Sequence, residues 1–292
     1  MKVLRAKTAG FCFGVSYALK KLDEQVSLFQ GSLAKGGEEQ GRLVTLGPII
    51  HNPLVMATYA EQGVVCLDDY RQVQAGDKVV IRAHGIPQAI ESAVLESGAE
   101  VIDATCPKVK KAQLSIAQEV AKGKNLLLLG EKDHPEVQGL LSYAGPDAFV
   151  FSSQEELEAY PLKADIAYFL AAQTTQELEG YYLAARFLEE KLGKPLTVLE
   201  TICNATKERQ QSVIELSSQV EAMIVVGGLN SGNTRRLADV ARLHNVPSQH
   251  VETVEGLDLQ ALQGLSVVGL TAGASTPDKY IDEMEIFLQR LS

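Results

Sequence analysis

What most constrains this chain is a recurrence with a period near 95 residues. Three apolar, strand-like stretches end in cysteine and open a helix-like segment: KVLRAKTAGFC to Cys12, EVIDATC to Cys106 and TVLETIC to Cys203, the cysteines lying 94 and 97 positions apart. A second set runs from an apolar strand through a glycine to a polar residue four positions on, as in Gly47 and His51, Gly130 and His134, and Gly227 and Ser231. A third set places a small or polar cluster after an apolar strand, around His84, Thr174 and Ser275. One strand-glycine-helix passage is common to any α/β chain. Three kinds in the same order mark an internal repeat, which decides the fold before any motif does.

Short apolar runs alternate with segments of helical periodicity, as in DKVVIRAHG, IPQAIESAVLESGA, EVIDATC and PKVKKAQLSIAQEVAKG. That alternation predicts an α/β fold with mainly parallel sheets. The recurrence divides it into three similar α/β units, 13–105, 106–202 and 203–292, the last completed by the N-terminal strand 1–12. The expected arrangement is pseudo-threefold around a central cavity. Recurring polar residues would then stand where open α/β sheets gather ligands, at the carboxyl ends of strands.

Charge narrows the partners. With 27 basic and 37 acidic side chains the formal net charge is -10, so a nonspecific nucleic-acid binder is excluded as a first reading and any anion must be held locally. No apolar run approaches the ~20 residues of a membrane span. The N-terminus lacks the continuous apolar stretch of a signal peptide, and a cytoplasmic location is expected. Four cysteines, Cys12, Cys66, Cys106 and Cys203, are too few for a disulfide scaffold at 292 residues. The three repeated ones suit a metal, either zinc with one open position or a 4Fe-4S cluster with one iron lacking a protein ligand, and the residues alone do not choose. Cys66, without a counterpart, is expected in the core.

Of five histidines, His51, His84 and His134 fall at proposed strand ends, while His244 and His250 lie in a polar stretch and are expected to be exposed. With Ser231, Asn233 and Ser275 they form a set of neutral or cationic donors beside helix N-termini, suited to phosphate or diphosphate. Glu136, two residues after His134, is the available proton donor, with Thr174, Thr175 and Gln173 placed to position or relay the proton. Two other classes fit parts of the pattern. A zinc hydrolase would use His51, His84 and His134 with Glu136 as base, and leaves the cysteines unexplained. A non-enzymatic iron-sulfur carrier or sensor has no need of the anion-binding set.

The motifs AGFCFGV around Cys12, IIHN at 49–52, AHGIP at 83–87, DATCP at 103–107, DHPEV at 133–137, AQTT at 172–175, TICNAT at 201–206, LNSGNTRRL at 229–237 and TAGAST at 271–276 run essentially end to end. Together they resemble the 4-hydroxy-3-methylbut-2-enyl diphosphate reductases, terminal iron-sulfur enzymes of the methylerythritol phosphate route to isoprenoids. The resemblance implies that Cys12, Cys106 and Cys203 hold one 4Fe-4S cluster with an open fourth iron. It implies that His51, His84, His134, Ser231, Asn233 and Ser275 bind the diphosphate of an allylic substrate, that Glu136 delivers protons, and that Thr174 touches the substrate near its hydroxymethyl group. The implied reaction uses two electrons and two protons to give isopentenyl and dimethylallyl diphosphates. GGLNSG is not a dinucleotide fingerprint, so an external donor such as ferredoxin or flavodoxin is expected. Gly232 departs from the family pattern, in which many members carry a second serine.

Overall fold

A computed structural model of the chain describes residues 1–34 and 41–291. The apolar runs become twelve strands among the described residues: β1 (Lys2–Arg5), β2 (Leu43–Leu46), β3 (Val65–Leu67), β4 (Lys78–Ile81), β5 (Glu100–Asp103), β6 (Asn125–Leu129), β7 (Phe149–Phe151), β8 (Tyr168–Ala172), β9 (Thr197–Val198), β10 (Ala222–Val226), β11 (Ser248–Val251) and β12 (Val267–Ala272). Every pairing is parallel. The strands form three four-stranded sheets, ordered β3-β2-β4-β5, β7-β6-β8-β9 and β11-β10-β12-β1. The α/β class and the threefold repetition of a parallel sheet are thus as expected. β1 takes in its sheet the place that β5 and β9 take in theirs, pairing with β12 from Lys2↔Val267 to Arg5↔Leu270.

The described chain packs as two compact units. The first comprises Met1–Val15, His51–Pro53 and Cys203–Ser292 and carries the sheet β11-β10-β12-β1; the second comprises Ser16–Ile50 and Leu54–Ile202 and carries the other two sheets.

Parallel sheets need cover on both faces, and the central strands read accordingly as continuous apolar runs. In the first unit Ala222, Ile224, Val226, Leu270 and Ala272 face the helix Asp278–Arg290 through Ile281, Met284 and Leu288. Met223 and Val225, on the opposite pleat, pack on the helices Asn204–Ser217 and Gly232–Leu243 through Val213, Leu237, Ala238 and Ala241. The second unit repeats this in β6 and β8. Leu127, Leu129, Leu170 and Ala172 meet the helix Leu178–Leu192, while Leu126, Leu128, Phe169 and Ala171 meet the helices Pro107–Val120 and Pro135–Leu141. In both units, then, the helix following a repeated cysteine and the helix following a strand-end glycine share one face of a sheet. Their N-termini, with free backbone N–H groups, come to the same edge.

Among the described residues no helix is long and apolar enough to cross a membrane. Leu128 is fully buried between β6 and its helices. Leu128→Ala should cost about 2–5 kcal/mol, the transfer of the lost methyl groups plus the cavity left in a covered sheet, read as a shift of the denaturant midpoint with unchanged slope.

Candidate functional site

The strand-end glycines build the site's framework. The N–H of Gly47 donates to Leu67 O at 2.7 Å, that of Gly130 to Phe151 O at 2.9 Å and that of Gly227 to Val251 O at 2.9 Å, so each prolongs a parallel ladder by one residue before the chain leaves the sheet. Gly47 and Gly227 do so at φ +69° and +147°. A Cβ at Gly227 would lie 2.6 Å from Thr276 Oγ1, so both conformation and space demand glycine there.

Beyond these turns, His134 and Ser231 cap helices as the spacing predicts. His134 Nδ1 accepts the Glu136 N–H at 3.1 Å, and Ser231 Oγ accepts the Thr234 N–H at 3.4 Å. Accepting at Nδ1 places the ring proton of neutral His134 on Nε2, leaving a donor. His51 is different. Its helix begins two residues later, at Pro53, and the His51 carbonyl instead accepts the Ser275 hydroxyl at 3.2 Å. Asn52, buried and not singled out by the recurrence, returns a bond from Nδ2 to Ser275 O at 2.8 Å. These two bonds tie His51–Pro53 to the first unit. The signal for Asn52 was a polar residue closing the apolar run PII ahead of a proline.

In the second unit, Cys106, His84, His134, Glu136 and Thr174 come from adjoining loops. The Cys106 N–H donates to Ala83 O at 2.9 Å, and Cys106 is the residue before the helix Pro107–Val120, with proline at its first position. Asp103 closes the turn below it, accepting from Thr105 N at 2.9 Å and Lys110 Nζ at 2.8 Å. Burial pushes the Asp103 carboxyl up, but the bonds from Lys110 and Thr105 outweigh it and hold it below the usual range. The rings of His84 and His134 meet edge to face with centroids 5.5 Å apart. Glu136 is 2% exposed, and its carboxylate accepts the Thr174 N–H on Oε1 at 2.6 Å and the Thr174 hydroxyl on Oε2 at 2.9 Å. Two bonds from one residue hold the carboxyl in one orientation.

The first unit carries Cys12, Cys203, Ser231, Asn233 and Ser275. Cys12 immediately precedes the helix Phe13–Ala34, and its Sγ accepts the Val15 N–H at 3.4 Å. Cys203 Sγ accepts the Thr206 N–H at 3.3 Å and lies 3.1 Å from Thr206 Oγ1. The Cys12 N–H donates to Ala274 O at 3.2 Å, next to Ser275. All four cysteines are free thiols. Soft sulfur donors at helix starts, with backbone N–H groups aimed at sulfur, fit an iron-sulfur group. Asn233 is buried and its Nδ2 has no hydrogen-bond partner among the described residues, a donor that an anionic ligand would satisfy.

Two expectations are corrected. Cys66 is exposed rather than in the core, because β3 is the edge strand of its sheet. His250 is half-buried, its Nε2–H donating to Gly227 O at 3.0 Å in the turn that leads to Ser231, whereas His244 is exposed as expected.

Residues 3–289 match the family model described as LytB protein. The chain is 56% identical over 291 residues to the 4-hydroxy-3-methylbut-2-enyl diphosphate reductase of Nitratidesulfovibrio vulgaris strain Miyazaki F, covering 100% of both chains. It is similar to the solved structure of the E-1-hydroxy-2-methyl-but-2-enyl-4-diphosphate reductase from Plasmodium falciparum, with TM-score 0.91, 25% identity, and 99% of this chain and 88% of that one covered. A second solved structure, of an (E)-4-hydroxy-3-methyl-but-2-enyl diphosphate reductase, aligns over 100% of both chains at 38% identity and TM-score 0.64.

Burial holds the His250 imidazole below its ordinary value of 6.5, against the smaller opposing effects of the Gly227 and Gly228 backbone and Glu252. The folded state therefore favours neutral His250. Its contribution to stability is complete above about 6.5 and is lost as pH falls from there through the lower folded value. In His250→Gln the fall in denaturation midpoint between about pH 7 and pH 5 should be shallower than in the unaltered chain; parallel curves would remove His250 from that role.

Proposed function

The chain belongs to the LytB protein family, and from that premise we propose that it reduces 4-hydroxy-3-methylbut-2-enyl diphosphate to isopentenyl and dimethylallyl diphosphates. The observation that carries the reading is the buried Glu136 carboxyl locked to Thr174 beside His134. Its burial and the two bonds from Thr174 that orient it suit a proton donor.

In this proposal one cysteine leads the first helix of each repeat, 13–105, 106–202 and 203–292 with 1–12, and Cys12, Cys106 and Cys203 hold a 4Fe-4S cluster with one iron free of protein ligands. When bound, that group supplies electrons and a Lewis-acidic iron at the substrate oxygen. The chain's own residues do the rest. His51, His84, His134, Ser231, Asn233 and Ser275 bind the diphosphate through neutral donors and helix N-termini, which offsets the net charge of -10. The orphaned Asn233 Nδ2 and the Nε2–H of His134 support that role. Gly232, at the start of its helix, leaves a backbone N–H where a serine would add a hydroxyl.

The proton path follows from the hydrogen bonds. A backbone N–H can only donate, so Glu136 Oε1 stays an acceptor toward Thr174 N and the acid proton resides on Oε2. The Thr174 hydroxyl donates to Oε2 of the carboxylate; in the acid that bond runs the other way, and the proton passes from Oε2 to Thr174 Oγ1 as the hydroxyl gives its own proton to the substrate. The allylic C–O bond breaks, the hydroxyl leaves as water with one proton, and two electrons with the second proton complete the hydrocarbon product. Holding the diphosphate fixes the hydroxyl against these groups. The electrons come from an external ferredoxin or flavodoxin in the cytoplasm, since no dinucleotide fingerprint is present.

Glu136→Gln should retain iron and bind substrate while turnover falls by about 10²–10⁴. Thr174→Val, which keeps the backbone bond and loses the relay hydroxyl, should fall about tenfold or more, and Thr174→Ser should recover most of it. Near-normal turnover in Glu136→Gln would overturn the assignment. Anaerobic purification with iron, sulfide and zinc analysis tests the cofactor. Matched iron and sulfide should survive Cys66→Ser and be lost in Cys106→Ser, and zinc without sulfide would sink the reductase reading.

A further inference from the structure

The three cysteine-led helices can be compared position by position. Six residues after Cys12 stands Ala18, and six after Cys106 stands Ala112, both buried small side chains. At the same offset from Cys203 stands Arg209. One of three equivalent positions has exchanged a methyl group for a guanidinium.

That guanidinium is buried, at 5% exposure, and its bonds go only to main-chain carbonyls. Nη2 donates to Gly10 O at 2.6 Å and Nη1 to Ala205 O at 3.0 Å. Gly10 lies two residues before Cys12 and Ala205 two residues after Cys203, so one side chain clasps both cysteine loops of the first unit. Gly10 holds its carbonyl toward Arg209 at φ +103°, and a Cβ there would lie 2.7 Å from Asp278 Oδ1. Arg209 Nε, also buried, has no hydrogen-bond partner among the described residues, and no carboxylate lies within ion-pair distance of the guanidinium. Carbonyl oxygens satisfy N–H groups without neutralising a charge, and an uncompensated buried cation is costly. Burial makes the Arg209 guanidinium release its proton more readily than usual, and Cys12 and Cys203 oppose this, ahead of exposed Glu208.

We propose that Arg209 is a positioning residue and buried counter-charge for the Cys12 and Cys203 thiolates, which sets the reduction potential of the group they hold. The proposal rests on the ligand set given above. A fixed positive charge beside two ligating sulfurs stabilises the reduced, more negative state. Removing it makes reduction harder, and replacing it by another cation does not. The clasp ties that charge to both loops, since both carbonyl anchors belong to the cysteine-bearing segments.

The test is spectroelectrochemical titration of the anaerobically purified, full-length protein and its Arg209→Gln, Arg209→Met and Arg209→Lys variants, with iron and sulfide measured on the same samples. In both neutral variants the ratio of reduced to oxidised protein at the unaltered protein's midpoint potential should drop at least tenfold, about 59 mV for a one-electron couple. Arg209→Lys should stay within about threefold, half that shift or less. Identical potentials in all variants overturn the proposal, and so does an equal shift in lysine and neutral variants, which would make the clasp rather than the charge responsible. If the neutral variants do not fold, Arg209→Lys decides: an intact cluster at nearly the original potential supports the counter-charge, and a shifted potential overturns it. Absence of iron and sulfide from the unaltered protein would fail the ligand set instead, a separate result.

Discussion

Three backbone hydrogen bonds govern where chemistry can occur in this chain. The N–H groups of Gly47, Gly130 and Gly227 each reach the last carbonyl of the neighbouring parallel strand, at Leu67, Phe151 and Val251. Parallel strands all deliver their carboxyl ends to one edge, and a ladder continued one residue past the strand fixes the direction in which the chain leaves it. The following helix must then start over that edge. Its unpaired N–H groups and whatever polar residue caps it are placed by the sheet, not by the flexible reach of a loop. The helices led by Cys106 and Cys203 share this geometry because each packs against the same sheet face as its glycine-led neighbour.

That framework explains how the buried Glu136 carboxyl is kept in a fixed place. Glu136 sits in the first turn of its helix, where the N-terminal dipole favours a carboxylate, and it accepts two bonds from the one residue Thr174. Thr174 in turn follows β8, the strand paired with β6, and Gln173 N–H is bound to Leu129 O at 2.8 Å. The acid and its partner are thus referred to the same two central strands. Displacing one relative to the other means breaking sheet pairings rather than rotating a side chain, which is how a precise donor position survives thermal motion.

Much of this was legible in the sequence because the signals are local and repeated: apolar runs bounded by glycine, cysteines at strand ends, polar residues at a constant offset. The misread positions depend on neighbours distant in the chain. VVCLDD reads as apolar, but β3 is an edge strand, and no local pattern says which strand is last in a sheet. The segment SQHVE reads as solvated, yet pairing β11 with β10 puts His250 against the Gly227 carbonyl 23 residues away. His51 obeyed the offset of four but not its structural meaning. Pro53 is favoured at a helix start, which moves the helix two residues on, and Ser275 takes up the His51 carbonyl from 224 positions away. Arg209 was hidden differently: a buried arginine in TKERQQS looks like one more charge on a solvated helix until the three helices are aligned on their cysteines.

Differences among the repeats carry as much meaning as their likeness. A cysteine stands at the equivalent position in all three, and such equivalence suits a compact metal group whose ligands are alike. The substrate in the proposed reaction is not alike at its two ends, having a diphosphate at one and a hydroxyl at the other. The repeats diverge in the side chains that would distinguish them. Only the second follows its capping residue with an acid and supplies a threonine to hold it; the third replaces histidine by Ser231, adds Asn233, and alone carries a cation six residues after its cysteine. Three copies of one scaffold thus place the three cysteines by equivalence. Specific reduction of one bond depends on the substitutions that break it.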